Sequence, residues 1–239
     1  MKKLLSIAVC ASAVAAFATT NVTCGTVGVT AITSTYTNTV VAVSYKELGN
    51  LDSDITVSNI VKTANLSNGD LLYVFSGGKY QSYTLTTAAG GAKYWDRTLD
   101  YVVGANGQLT TDETPAANIA TLASGSGIWL VRPNGWDGAN FTFYIYGKPS
   151  GVTSVSVAAG ATALVGNPTQ SNKAPSISGA TSGDQILVPA NNKVGMQTYS
   201  YNGSVWSTRI NKKRQEGLPT INAGTGFWYV AKDAVKINW

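Results

Sequence analysis

Short apolar stretches rich in β-branched and aromatic residues recur along the chain, and Gly, Asn, Asp or Pro separates them. Runs of this length with such boundaries are typical of strands joined by turns. The clearest runs are residues 71–75, 128–131, 141–146, 186–188 and 227–230. Asn106-Gly107 and Asn202-Gly203 are dipeptides typical of tight hairpin turns. We therefore expect an all-β fold, with at most one short helical turn in residues 53–65 and another in residues 112–122.

The N-terminus carries the pattern of a secretory signal peptide. Lys2 and Lys3 precede an uncharged, mainly apolar stretch of 15 residues that ends at Ala18. A transmembrane helix needs about 20 residues, and the small side chains flanking Phe17 suit signal peptidase, which predicts cleavage between Ala18 and Thr19. A buried N-terminal helix is the alternative, but the stretch has no amphipathic stripe. We expect a protein secreted by a bacterium or held at its cell surface, with membrane contact only during export.

An ordered series of short motifs occurs in both halves of the chain, which indicates an internal repeat. The matched pairs are Gly28-Val29-Thr30 with Gly151-Val152-Thr153, Leu48-Gly49-Asn50 with Val165-Gly166-Asn167, Gly69-Asp70 with Gly183-Asp184, Gln81-x-Tyr83 with Gln197-x-Tyr199, Trp95 with Trp206, and Gly125-Ser126-Gly127-Ile128-Trp129 with Gly224-Thr225-Gly226-Phe227-Trp228. We expect the Gly-Asp pairs to form turns in which the carboxylate caps backbone amides. We expect the closing tryptophans to lie in the core.

The repeat predicts tandem β-sandwich or small-barrel domains. The first copy is the longer one, which places an insertion near residues 85–112. The predicted order is a signal peptide (1–18), an N-terminal tail (19–27), a first β domain (28–146), a linker (147–150) and a second β domain (151–239). Repeated sequence here predicts repeated architecture.

The order of motifs resembles the small β modules of uncharacterised bacterial exported proteins. An apolar strand enters Gly-Asn-Pro at residues 161–168, and Gly-Asp, a hairpin bearing Tyr and Trp, and a Gly-x-Gly-aromatic-Trp strand follow. In those modules a "GWNLISLP" strand opens the unit and a "GxGYW" strand closes it. The resemblance covers about residues 28–239, and it departs from the module where Thr162-Ala163 replace Trp-Asn and where Leu51 replaces Pro. It implies an accessory or surface-attached part and carries no activity.

The composition excludes much catalytic chemistry. The chain has no histidine, so no imidazole can serve as a general base or a metal ligand. Charged residues make up 12% of the chain, about half the usual share. The carboxylates are scattered, so we expect no catalytic site, no cofactor and no enzymatic activity. Asn50-x-Asp52-x-Asp54 has the spacing of a calcium loop but lacks its glycine. We interpret it as a polar loop and predict no metal site.

Charge and the remaining special residues add few candidates. Loss of the signal peptide lowers the formal net charge from +5 to +3. The cluster Lys212-Lys213-Arg214 is interpreted as a solvated turn, and no nucleic-acid partner is expected. Cys24 becomes the sole cysteine, which leaves either a buried thiol or an intermolecular crosslink. Trp136 lies in a turn-rich segment and is the candidate for contact with a cell-surface glycan.

We interpret the protein as a non-enzymatic, secreted structural protein that binds copies of itself in a cell-surface layer, fibre or other extracellular structure. The segment 26–45 can add to a neighbour's sheet edge or form the first strand of its own domain, and residues 19–27 are expected as a free tail. A carbohydrate-binding, adhesive surface protein is one alternative. An outer-membrane β-barrel is another, because residues 235–239 alternate and end on Trp, although the strands are short for a barrel.

Overall fold

The computed structural model describes residues 20–24, 27–34, 38–43, 45–46, 55–57, 66–76, 79–103, 109–112, 121–132, 141–169, 171–189 and 196–239. These residues form antiparallel strands, and Val57 is the one described residue in helical conformation, so the all-β prediction is confirmed. The predicted signal peptide, its cleavage site at Ala18 and Thr19, and the candidate calcium loop at residues 50–54 lie outside the described residues. Within the described ranges, no helix is long and apolar enough to cross a membrane.

The described residues of segment 20–149, which we call the first half of the chain, form twelve strands. They are β1 (Thr20–Cys24), β2 (Val27–Ser34), β3 (Asn38–Ala42), β4 (Tyr45–Lys46), β5 (Ile55–Thr56), β6 (Leu71–Ser76), β7 (Lys79–Thr87), β8 (Lys93–Val103), β9 (Leu109–Asp112), β10 (Thr121–Leu122), β11 (Gly127–Val131) and β12 (Phe141–Pro149). Six of them form sheet I, in the order β3-β11-β6-β7-β8-β9. A companion sheet has the order β1-β2-β12-β4, and β5 pairs with β10.

The second half of the chain supplies nine strands. They are β13 (Ser154–Val157), β14 (Thr162–Gly166), β15 (Ser176–Ser178), β16 (Gln185–Pro189), β17 (Met196–Tyr201), β18 (Trp206–Ile210), β19 (Lys213–Glu216), β20 (Gly226–Val230) and β21 (Val235–Asn238). Sheet II has the order β14-β20-β16-β17-β18-β19, and its companion sheet has the order β13-β21-β15. The strands of sheet II follow one another along the chain in the same relative order as those of sheet I.

Strand register relates the residues of the two sheets. Leu72 lies opposite Tyr83 in sheet I, and Ile186 lies opposite Tyr199 in sheet II. The predicted insertion at 85–112 lies within sheet I, because β7 and β8 have nine and eleven residues where β17 and β18 have six and five. The extra residues therefore lengthen hairpins of the sheet and add no separate unit.

Two details of the sequence interpretation change. Gly166 pairs with Gly226 in sheet II, and Ala42 pairs with Gly127 in sheet I. The strand that corresponds to β14 is thus β3, whereas the motif Leu48-Gly49-Asn50 lies outside the described residues.

The segment 19–27, predicted as a free tail, contains β1, and β1 pairs with β2 from Thr20 to Cys24. Residues 20–24 form a strand because Thr20, Val22 and Thr23 are β-branched and favour extended backbone.

Each six-stranded sheet buries one face. In sheet I the buried side chains include Leu72 and Val74 of β6 and Ile128 and Leu130 of β11, at alternate positions as strand geometry requires. In sheet II the corresponding strands bury Ile186, Phe227 and Tyr229. Trp95 and Trp206 are also buried in the two cores, where each contributes about 3 kcal/mol through loss of apolar surface to water.

The Gly-Asp turns precede β6 and β16 and anchor them. Gly69 and Gly183 have φ of 92° and 99°, a conformation that glycine adopts without a Cβ penalty. The Asp70 carboxylate accepts a hydrogen bond from Ser67 N at 2.8 Å, and the Asp184 carboxylate accepts one from Thr181 N at 3.1 Å. The prediction that these carboxylates cap backbone amides is confirmed.

Candidate functional site

Five rings lie on the faces of sheets I and II that point away from the two cores, and we call them the aromatic seam. Its members are Tyr73 and Phe75 of β6, Tyr80 of β7, Trp129 of β11 and Trp228 of β20. They take this face because successive strand residues alternate, and their neighbours Leu72, Val74 and Ile128 occupy the core face. Trp228 is buried, whereas the other four rings are half-buried.

Trp129 is the centre of the seam. Its ring lies 4.9 Å from Tyr73 with an interplanar angle of 31°, and 5.3 Å from Trp228 at 83°. Tyr80 lies 6.5 Å from Trp129 and 4.8 Å from Phe75, in edge-on arrangements. Offset and edge-on pairs of this kind contribute about 0.5–1.5 kcal/mol each beyond their buried area.

The backbone beside the seam joins the two halves of the chain reciprocally. Ala42 N donates to Gly224 O at 2.7 Å, and Gly166 N donates to Gly125 O at 2.9 Å. Ala42 corresponds to Gly166 in strand register, and Gly224 corresponds to Gly125 in the turns before β20 and β11. The same contact is therefore made in both directions, as at an isologous interface with two-fold symmetry.

The closest backbone approach occurs at Gly166. A Cβ placed on Gly166 lies 2.5 Å from Ala42 Cβ and 2.6 Å from Ser126 O. Backbone atoms cannot withdraw as the end of a flexible side chain can, so this position requires glycine. The close spacing of the strands across the join therefore depends on Gly166 having no side chain.

Hydrogen bonding breaks the symmetry of the seam. Trp228 Nε1 donates to Tyr80 Oη at 2.8 Å, across 148 residues of sequence. Trp129 Nε1 is buried without a hydrogen-bond partner. Tyr80 pairs with Phe75 in sheet I at the register position where Met196 pairs with Pro189 in sheet II. Met196 packs against the same apolar cluster as Tyr80, and its thioether is a poor acceptor.

Burial also affects the tyrosines. Desolvation raises the pKa of Tyr80, and the hydrogen bond from Trp228 opposes that effect. Desolvation is also the first cause that raises the pKa of Tyr229, and its hydrogen bond to Asp184 raises the pKa further. Tyr229 Oη donates to Asp184 Oδ2 at 2.8 Å, and deprotonation would place two negative charges side by side. Both hydroxyls are therefore protonated at neutral pH.

The buried carboxylates serve the fold. Asp184 also accepts from Lys232 N at 2.7 Å, which adds to its contacts with Thr181 and Tyr229. Asp70 forms a bidentate pair with Arg132, with both nitrogen–oxygen distances at 2.8 Å. Both carboxylates are therefore engaged by donors that belong to the fold.

The outermost strands of the sheets differ in charge. Strand β1 is outermost in its sheet, and its sequence Thr-Asn-Val-Thr-Cys carries no charge. Strand β19 is outermost in sheet II, and its four residues Lys-Arg-Gln-Glu are all exposed. Lys212 lies in the turn before β19, while Lys213 and Arg214 lie in the strand itself. The interpretation of this cluster as a solvated turn therefore holds for Lys212, whereas the other two residues belong to an exposed edge strand.

Of the predicted site residues, the structure describes Cys24 alone. Trp136, the candidate glycan contact, lies outside the described residues, and Cys24 is the last residue of β1. Sequence reasoning missed Tyr73, Phe75 and Tyr80 as members of one site. A tyrosine at alternate strand positions signals a second face, but only the folded chain places Tyr80 beside Trp228. Among the described residues, no group of His, Cys, Asp or Glu is arranged to hold a metal ion.

Comparison with known proteins gives no assignment. The chain matches no protein-family model, no curated protein and no solved structure. The resemblance to exported β modules stays a prediction from sequence, and function has to be argued from the sheet edges and the aromatic seam.

Proposed function

We propose that the protein is a non-enzymatic, exported structural protein that self-assembles into a layer, fibre or other structure at the surface of a bacterium. One observation carries this proposal. Strand β1 is outermost in its sheet, carries no charged residue and lies directly after the predicted signal peptide. After cleavage at Ala18 it becomes the first element of the mature chain, where another copy can reach it.

The physical reason is the position of β1, which within the described residues pairs with a strand on one side only. An outermost strand presents unpaired N–H and C=O groups, and proteins that stay monomeric block such edges with charges, especially lysine. Strand β19 has that protection and β1 lacks it. Main-chain pairing between copies therefore costs no charge burial at β1 and extends the sheet by strand addition.

We also infer that the chain arose by internal duplication of one β module. Support comes from the shared strand order of sheets I and II and from the reciprocal contacts of Ala42 and Gly166. A duplicated module that joins through a two-fold interface resembles a fused homodimer, which is consistent with an ancestor that already bound copies of itself.

The absence of catalytic activity is part of the proposal. Its support is that Asp70 and Asp184, the carboxylates buried within the described residues, are held by structural donors.

The half-buried rings of the aromatic seam favour a second candidate function, carbohydrate binding by stacking. A glycan array with wild type and Tyr73→Ala distinguishes this candidate, because stacking predicts binding that the substitution weakens.

The test of self-assembly uses the mature chain, residues 19–239. Asn21→Lys with Thr23→Lys places gatekeeper lysines on β1, and we expect electron microscopy to show loss of assemblies formed by wild type. The matched control, Thr198→Lys with Ser200→Lys, adds the same charges at exposed positions of the interior strand β17 and should assemble normally. Equal assembly by both variants would exclude β1 as the contact, and wild-type particles that stay dispersed on cells and in solution would overturn the function.

A further inference from the structure

The outermost hairpins of sheets I and II each place like charges directly opposite one another. In sheet II, Arg209 of β18 lies opposite Arg214 of β19. In sheet I, Asp100 of β8 lies opposite Asp112 of β9. Like charges at directly opposed positions destabilise a strand pair. Both hairpins thus have like charges at opposed register positions.

The basic hairpin has little internal compensation. The described residues offer one ion pair there, between Arg214 and Glu216 at 3.2 Å, and both side chains are more than half exposed. Water and salt screen such a pair, so its contribution is small. Arg209 is exposed as well. The positive charge of this hairpin is therefore available to a partner.

The tip of the same hairpin concentrates charge at a strained position. Asn211 and Lys212 have φ of 50° and 65°, the conformation of a tight hairpin turn in which Asn-Gly is favoured. Lysine in the second position costs conformational energy that glycine would not. The turn therefore places the exposed Lys212 directly beside the basic residues of β19.

We propose that strand β19 of one molecule pairs with strand β9 of the next, so that the Arg209–Arg214 positions face the Asp100–Asp112 positions. Each strand is the outermost one of its six-stranded sheet and each has four residues, so their hydrogen-bonding edges match in length. This inference rests on the proposed self-assembly and specifies one of its contacts. Opposite charges at the two edges admit this partner and reject like edges.

The symmetry of the contact determines what it builds. A contact between two β1 strands is isologous and closes a dimer, whereas a contact of β19 with β9 uses two different surfaces and leaves both free at the ends. Such a head-to-tail contact propagates into a fibre. Together, a closing contact and a propagating contact are sufficient to build a layer.

An acidic edge on the same chain favours a second copy over an anionic polymer as the partner. A basic hairpin that binds phosphate-rich polymer has no need of the opposed Asp100 and Asp112 at the other outermost hairpin. Pairing between copies accounts for both like-charge pairs at once, because each neutralises the other. The polymer remains an outcome that the experiment detects.

The experiment uses complementary charge-reversal variants of the mature chain. The acidic variant is Arg209→Asp with Arg214→Asp, and the basic variant is Asp100→Arg with Asp112→Arg. In each variant alone, the substituted hairpin has the same sign of charge as the hairpin at the other edge strand, so β9 and β19 of neighbouring molecules repel each other. We therefore expect the critical concentration for assembly to rise about tenfold or more. An equimolar mixture pairs acidic with basic edges and should assemble again as an alternating polymer. Thermal unfolding by circular dichroism confirms that each variant is folded.

The control Lys173→Asp with Lys236→Asp matches the charge change of the acidic variant at exposed positions away from β19, and it should assemble like wild type. If both charge-reversal variants assemble alone as wild type does, the β9–β19 contact is wrong while self-assembly stands. If wild type itself never assembles, the proposed function fails. If the mixture does not recover and the acidic variant instead loses binding to polyphosphate, the partner is an anionic polymer and this inference is overturned.

Discussion

Trp129 and Trp228 meet edge to face at 5.3 Å where the two halves of the chain join. They occupy the same position of corresponding strands, third in β11 and third in β20. Of the two indole N–H groups, that of Trp228 donates to Tyr80 and that of Trp129 has no partner, and Met196 occupies the register position of Tyr80 in the other half of the chain. The backbone contacts at the join are therefore reciprocal, whereas the hydrogen bonds of the two indole groups differ.

Loss of the Tyr80 hydroxyl tests the hydrogen bond between Trp228 and Tyr80 at the join. In Tyr80→Phe the ring stays, but the buried N–H of Trp228 loses its acceptor, and we expect the free energy of unfolding to fall by about 1–3 kcal/mol. Urea unfolding measures the change. Tyr94→Phe is the control, because Tyr94 is 44% exposed and its loss should change stability by less than about 0.5 kcal/mol. Equal effects of the two substitutions would contradict the importance of the Tyr80 contact.

A hydroxyl introduced at residue 196 tests whether the unpartnered N–H of Trp129 can gain an acceptor. Met196→Tyr supplies the acceptor that the register predicts, while Met196→Phe supplies the ring alone. We expect the tyrosine variant to be more stable than the phenylalanine variant by about 1 kcal/mol, which is the net contribution of a typical hydrogen bond. Comparing the two variants cancels the change in packing. Indistinguishable unfolding midpoints would mean that the correspondence of Met196 with Tyr80 does not extend to their side chains.

Gly166 tests the close approach of the two halves. In Gly166→Ala the new Cβ overlaps Ala42 and Ser126 O, so we expect a loss of about 3 kcal/mol in the free energy of unfolding. Gly90→Ala is the matched control, since a Cβ on Gly90 meets nothing within 4 Å. Guanidinium unfolding of both variants provides the comparison, and a Gly166→Ala protein as stable as its control would disprove the backbone contact.

The raised pKa of Tyr229 predicts a loss of stability at alkaline pH. The folded state keeps the proton above pH 10, where an unfolded tyrosine releases it. Stability from this group is thus fully present below about pH 10 and declines above it, with a slope up to about 1.4 kcal/mol per pH unit. Burial raises the pKa of Tyr80 and Tyr199 as well, so the total slope is shared.

Tyr229→Phe isolates the contribution of Tyr229 to that slope. The variant loses the hydrogen bond to Asp184 and is less stable at neutral pH, but its stability should decline less steeply above pH 10. Unfolding midpoints measured across the alkaline range give the two slopes. Parallel curves for wild type and variant would show that Tyr229 ionises equally in the folded and unfolded states.

Sequence pattern predicted the strands and the capping role of Asp70 and Asp184, because both depend on neighbours in the chain. It also matched Trp95 with Trp206 and Tyr83 with Tyr199, which are related by strand register in the structure. Local alternation and turn chemistry are sufficient for features of this kind.

The remaining features depend on contacts between distant residues. Sequence similarity favoured Leu48-Gly49-Asn50 as the partner of residues 165–167, but Ala42 replaces the glycine at the position that pairs with Gly127. The hydrogen bond of Trp228 to Tyr80 spans the two halves, so no local pattern could predict it. The opposed charges of Arg209 and Arg214 appear only when the register of β18 and β19 is known.

Sedimentation velocity of the mature chain over a wide concentration range tests self-assembly most directly. The account predicts that the weight-average mass rises with concentration well above that of a monomer, and that added salt lowers it because charged edges contribute to the contact. A single species with the mass of one chain, at every concentration and salt level, would contradict it.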